Sequence, residues 1–265
     1  HQELVTDMVE LHEHLGARPA IWVGHDLGSP VAAALAAHHR DQTAELVLIS
    51  VPYLPNSFAL PNLLPLINRQ IYPESRYPDG QWDYYRFYLT RFDQSVDDFE
   101  ADIPSTLAAI YQPGHANTVD APSPSASVAA HDGWFGPAHR APRTEPDPAL
   151  WPRADFNALT QAFQRNGFRP ANAWYLNDDA NIAYAKNAPS KGQLETPALF
   201  VNGERDPICD INRSQLAQPM KHSCRYLTIV NLLAGHWVPL ERKVEVNNAI
   251  RAWLADDATN PPKSS

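Results

Sequence analysis

The sequence predicts an α/β fold: a mainly parallel sheet whose second half follows a long, mostly helical insert. Three observations carry this. An apolar run, Ala20 to Val23, leads into Gly24-His25-Asp26-Leu27-Gly28 and then an alanine-rich segment, Val31 to His39, the pattern of a strand turned sharply into a helix. Two later runs of strand length, Pro197 to Gly203 and Tyr226 to Val230, each lead into a loop bearing a titratable residue. Between them, residues 53–192 are rich in Pro, Tyr and Asn and carry helix-like periodicity.

In chain order, residues 1–52 give a helix over Glu3–Leu15, the first strand, the sharp turn, its helix and a second strand over Glu45–Ser50. Residues 53–192 are assigned to a cap, with helices over Phe99–Tyr111 and Ala154–Asn166. Residues 113–150, where Pro, Ser and Ala cluster, read as a long loop, either ordered on the cap or partly disordered. Residues 193–254 return to the core with two strands and a closing helix, Lys243–Leu254. Residues 255–265 form a polar tail, expected to be disordered.

The chain has 265 residues, enough for one core with a cap, and 44% of them are hydrophobic. A net charge of −9 argues against nucleic acid and anionic membranes as partners. With no apolar run of about 18 residues, no transmembrane helix is expected. Two cysteines, Cys209 and Cys224, make no disulfide framework, and reduced thiols are the default. No set of His, Cys, Asp and Glu has metal-ligand spacing, and no cofactor is expected. A cytoplasmic location is expected; the oligomeric state is left open.

The turn at Asp26 has the geometry of a nucleophile elbow, in which small neighbours let a strand reverse into a helix around one strained residue. Gly24 and Gly28 supply those neighbours. A carboxylate there can attack an alkyl carbon and form an ester. The plainer alternative is a helix N-cap. Downstream, a carboxylate after one strand and a histidine after the next give the order nucleophile, acid, histidine. Asp206 is preferred as the acid over Glu204 and Asp210, because it lies just past the strand end before Pro207. The Glu45–Ser50 strand offers no rival, since it runs into Val51-Pro52. His236, oriented by Asp206, is the expected base. His25 is expected to pack or to bond the backbone.

On these residues the chain resembles the soluble-type epoxide hydrolases of the α/β-hydrolase superfamily, in particular sequences of fungal character. Gly24-His25-Asp26-Leu27-Gly28, the Asp206 loop and Gly235-His236-Trp237 carry the resemblance. So do Trp82-Asp83-Tyr84-Tyr85-Arg86-Phe87-Tyr88, Ala173-Trp174-Tyr175-Leu176-Asn177 and Gly133-Trp134-Phe135-Gly136. It implies an α/β-hydrolase core keeping the later half of the sheet, and a reaction that turns a small hydrophobic epoxide and water into a vicinal diol through an ester on Asp26. Tyr84 and Tyr175 are then the phenols that stabilise the departing oxygen, and the Leu27 backbone N–H is an oxyanion donor. Tyr85 and Tyr88 are read as core aromatics of the cap.

Two departures matter. Leu27 stands where the family commonly has Trp, and its side chain has no donor for a halide, which counts against the alternative of a haloalkane or haloacid dehalogenase. The family's other oxyanion donor comes from a His-Gly-x-Pro loop upstream of the elbow, and no such motif precedes Asp26. The chain also opens on His1. It is read as truncated at the N-terminus, with an unpaired apolar edge at the first strand. It is expected to be weakly active or inactive as it stands; the remaining alternative is a non-catalytic remnant.

Overall fold

Strands β1 (Ala20–His25), β2 (Thr43–Ile49), β3 (Ala198–Gly203) and β4 (Leu227–Leu232) form one parallel sheet in the order β1-β2-β3-β4. The computed structural model describes residues 1–116 and 120–259, with side chains as far as Asp256. Alternation along the central strands sends side chains to two cores. Leu46, Leu48, Ala198 and Phe200 face the larger core, with α2 (Gly28–His38) packing directly on it and helix α1 (Gln2–His14) packing against α2. Val47, Ile49, Leu199 and Val201 face the smaller one. β1 is an edge strand, and on the face left uncovered there Ile21 and Val23 are 43% and 54% exposed.

From β2 the chain enters the helices α3 (Leu60–Leu63), α4 (Asp83–Thr90), α5 (Phe92–Glu100), α6 (Ile103–Ile110), α7 (Arg153–Asn166), α8 (Arg169–Asn172) and α9 (Asp178–Lys186) before returning at β3. Helices α10 (Ala217–Ser223), α11 (Val238–Glu241) and α12 (Lys243–Thr259) complete the described order. Val246 and Trp253 of α12 close the smaller core.

The single helix expected over Phe99–Tyr111 is instead the end of α5 and the whole of α6. The break has a local cause: the Asp102 carboxylate accepts the Ser105 N–H at 3.2 Å as an N-cap, and Pro104 sits in the first turn, where its missing N–H does no harm. The closing helix runs past Leu254 to Thr259, so the first part of the expected tail is helical; residues 260–265 lie outside the described residues. In the 113–150 segment the chain makes short 3-10 turns at Pro124–Ser127 and Gly136–Ala138; residues 117–119 are outside the described set.

The β1-to-α2 junction depends on backbone meeting backbone. A Cβ on Gly24 would lie 2.3 Å from the Gly28 carbonyl oxygen and 2.7 Å from the Ser29 Cα. Ser29 ties the junction to β2: its hydroxyl donates to the Gly24 carbonyl at 2.9 Å and accepts the Ile49 N–H at 3.3 Å. Replacing Gly24 with Ala should therefore cost about 3 kcal/mol of stability, the upper range for overpacking a tight site. Chemical denaturation checks this, and an unchanged midpoint would count against so close an approach.

Candidate active site

Asp26 stands at φ 51°, left-handed backbone that a non-glycine residue adopts only when its surroundings force it. The elbow supplies the force, and the result is a carboxylate at the end of β1 beside the start of α2. Its side chain remains 35% exposed, toward a cavity of about 820 Å³. The loops after β3 and β4 bring Asp206 and His236 to the same place. His236 Nδ1 lies 2.8 Å from Asp206 Oδ2 and His236 Nε2 lies 3.2 Å from Asp26 Oδ1. One imidazole thus bridges two carboxylates.

Asp206 is 1% exposed, and its other oxygen accepts the Ile208 and Cys209 N–H groups at 2.8 and 3.0 Å. The rivals lie elsewhere: Glu204 is exposed, and Asp210 pairs with Arg213. His25 bonds the backbone, its Nε2 lying 2.9 Å from the His236 carbonyl, which also accepts the Ser50 hydroxyl at 2.7 Å. Those two contacts hold the His236 loop against the elbow.

The electrostatics follow from the bridge. Burial pushes His236 toward the neutral form, but Asp206 and Asp26 outweigh it and raise its pKa well above the ordinary histidine value. Burial works against ionised Asp26 as well. The hydrogen bond and charge of His236, the nearby His25 and the Leu27 N–H reverse that and lower its pKa. The Leu27 N–H thus acts on the Asp26 carboxylate from the next residue along the chain.

Tyr84 on α4 and Tyr175, in the 3-10 turn Ala173–Leu176, face each other edge-on, with ring centroids 5.7 Å apart, and both line the cavity that holds Asp26. Burial raises both phenols well above their usual pKa, with the Asp26 charge adding to it, so both remain protonated donors. The Tyr85 hydroxyl donates to Asp178 at the start of α9, and Asp178 also accepts the Leu60 N–H at 3.0 Å. That pin sets α4 against the Tyr175 turn. Tyr85 is 2% exposed, as a core aromatic should be.

Tyr88 is buried in the aromatic core, as expected, and it also lines the cavity. The reason is helical geometry, since Tyr84 and Tyr88 are four residues apart on α4 and share one face. That spacing was readable in the sequence. The wall contributed by Ile110 and Gln112–His115 was not. It is fixed by tertiary contacts: the Trp237 indole donates to the Ile110 carbonyl at 3.0 Å, and the Glu241 carboxylate accepts the N–H groups of both Gly114 and Gly235, at 3.0 and 2.9 Å. A Cβ on Gly114 would fall 2.3 Å from the Gly235 Cα, so both positions need glycine.

Sequence spacing suggested no metal ligands, yet the fold gathers one candidate set among the described residues. Asp206, Cys209 and His236 each have a ligand atom within 4.8 Å of the others. The set fits a metal poorly. Both Asp206 oxygens and His236 Nδ1 are engaged in hydrogen bonds, and burial raises the Cys209 thiol well above its usual pKa, disfavouring the thiolate a metal requires. Cys209 and Cys224 are both free and buried.

An ionised carboxylate held for attack, an imidazole able to exchange protons with it, and two protonated phenols across an apolar cavity can open a strained carbon–oxygen bond. Comparison with known proteins points the same way. Residues 2–243 match the family described as alpha/beta hydrolase fold. Epoxide hydrolase A of Mycobacterium tuberculosis is 28% identical over 258 residues, covering 95% of this chain and 73% of that protein. Bifunctional epoxide hydrolase 2 of Sus scrofa is 22% identical over 97% of this chain but 43% of its own length. Among solved structures, an epoxide hydrolase from an endophytic Streptomyces aligns with a TM-score of 0.73 at 24% identity, over 97% of this chain and 73% of that one.

Because Asp206 helps hold the imidazole protonated, Asp206→Asn should lower the His236 pKa. The sign for stability follows: a folded-state pKa raised above the unfolded value gives stability that is full below the unfolded pKa and is lost as pH rises through the folded one. The variant should lose that contribution. Titrating the imidazole resonances by NMR beside pH-dependent melting tests both, and an unmoved His236 titration would deny the coupling.

Proposed function

The chain belongs to the α/β-hydrolase fold family, and on that premise we propose that it hydrolyses epoxides to vicinal diols through an ester on Asp26. The observation that carries the reading is the His236 bridge between Asp26 and Asp206, with Tyr84 and Tyr175 lining the same cavity. The epoxide hydrolase relatives support it.

The steps balance in protons. Asp26 attacks an epoxide carbon while Tyr84 and Tyr175 hydrogen-bond the oxygen, one of them giving up its proton as the carbon–oxygen bond breaks. The product is a hydroxyalkyl ester, and the Asp26 charge is gone. With it goes one of the two anions that kept His236 protonated, so the imidazole releases its proton to restore the phenol. Neutral His236, still oriented by Asp206, then takes a proton from water, which attacks the ester carbonyl. The Leu27 N–H meets the developing oxyanion, the diol departs carrying the carboxyl proton, and Asp26 is again ionised beside protonated His236.

The substrate is a small hydrophobic epoxide with an apolar group, since aromatic and aliphatic side chains such as Phe58, Phe99 and Trp237 dominate the cavity wall. Halide release is disfavoured, because the side chain following Asp26 is leucine and the opposing donors are two phenols, suited to an alkoxide. Among the described residues no helix is long and apolar enough to cross a membrane. Two free, buried thiols suit a reducing compartment such as the cytoplasm.

Separating the half-reactions tests the assignment. His236→Gln should allow attack but not ester hydrolysis, so that incubation with an epoxide leaves a covalent adduct seen by intact-protein mass spectrometry. Asp26→Asn should leave none; adducts of equal yield in both would remove Asp26 as the nucleophile. Tyr84→Phe and Tyr175→Phe should each slow ester formation by roughly 10- to 1000-fold, the loss typical of one oxyanion donor. Rapid-quench measurement of the alkylation step decides this, and full-speed alkylation in the double variant would return both rings to a packing role.

A further inference from the structure

One polar group in the cavity has no task in the reaction above. Tyr88 is 5% exposed, and its ring stacks on Tyr175 with centroids 4.5 Å apart while standing edge-on to Tyr84 at 5.9 Å. Its hydroxyl oxygen accepts the Trp134 indole N–H at 3.0 Å, and among the described residues it donates to none. A phenol has a single proton to give. With the indole N–H on the oxygen, that proton is left for a partner other than Trp134. A hydroxyl on the wall of a cavity of about 820 Å³ can give its proton to an acceptor on a molecule that enters there, which phenylalanine in the same place could not. A donor kept under those conditions fits a ligand that brings an acceptor.

We propose that Tyr88 is a specificity-determining residue, donating its O–H to a second oxygen of the substrate close to the epoxide. The site would then prefer epoxides carrying an ether, hydroxyl or carbonyl oxygen a few bonds from the ring. This rests on the epoxide reading of the cavity. The spacing agrees with it: the Tyr88 ring stacks directly on Tyr175, one of the two phenols assigned to the epoxide oxygen. Burial, partly offset by the Trp134 bond and reinforced by the Asp26 charge, raises the Tyr88 pKa and keeps the group a donor at neutral pH. A site built to bond a substrate oxygen discriminates against the analogue that lacks it, because the donor is then left unpaired.

The test uses phenyl glycidyl ether and its carbon isostere, in which a methylene replaces the ether oxygen. The ratio of kcat/KM for the ether to that for the isostere should fall about tenfold in Tyr88→Phe, chiefly through KM. Equal losses on the two epoxides, or none, would overturn the proposal and assign Tyr88 to packing. The corresponding diols read the same discrimination without turnover, by quenching of tryptophan fluorescence. The ether diol should bind the parent chain about tenfold more tightly than the carbon diol, and Tyr88→Phe should erase the difference. A parent that discriminates between the diols in this way but turns over neither epoxide would overturn the hydrolysis reading and sustain the role of Tyr88. Equal affinities in the parent would overturn the role of Tyr88 whatever the turnover, and binding of neither diol would overturn both.

Discussion

Two carboxylates share one imidazole, and the geometry around the cavity serves that arrangement. Asp26 and Asp206 sit at the ends of neighbouring parts of the sheet and would repel each other if nothing stood between them. His236 stands between them, 3.2 Å from one and 2.8 Å from the other. A parallel sheet suits this, because the loops after its strands all emerge at one edge. The strain at Asp26 and the close approach of Gly24 to Gly28 are what bring the first carboxylate within reach of the ring. The Asp206 turn, with two backbone N–H groups on one oxygen, fixes the second.

The helical segment between β2 and β3 is joined to the sheet at the same place. Glu241 accepts from Gly114 on one side and Gly235 on the other, so the residue before His236 and a wall of the cavity share one carboxylate. Trp237 adds a bond to the end of α6 and packs on Tyr111 with ring centroids 4.1 Å apart. The base and the substrate wall are therefore tied to each other. At the other side, the Tyr85–Asp178 bond sets the two phenols relative to each other. Each phenol is positioned by a neighbour that never faces the cavity.

Much of this was legible because it is local or ordered along the chain. Glycines two residues either side of Asp26 announce the elbow, and Asp206 and His236 each follow a strand-length apolar run. The α5–α6 break was also written locally, in Asp102 and Pro104, but periodicity alone ran the two helices together. Tyr88 keeps its place in the aromatic core, and the four-residue spacing from Tyr84 that puts both rings on one face also brings it to the cavity wall. The meeting of Gly114 with Gly235, and the Asp206-Cys209-His236 grouping, join residues far apart in sequence or across two strands. No local pattern encodes them, since they exist only once the helical segment has docked.

The insertion between β2 and β3 also sets the order in which the molecule can be made. β2 ends at Ile49, and its partner β3 begins only at Ala198. Loop closure over that span is entropically costly, so the pairing belongs to the late, non-local part of folding. During synthesis the interval between the two strands lasts on the order of ten seconds or more at about 5–20 residues per second. For that time β2 has an open ladder and no cover from α12. A nascent chain in this state is a natural client for chaperones, and its yield on expression should be governed by how that interval is handled rather than by the stability of the finished fold.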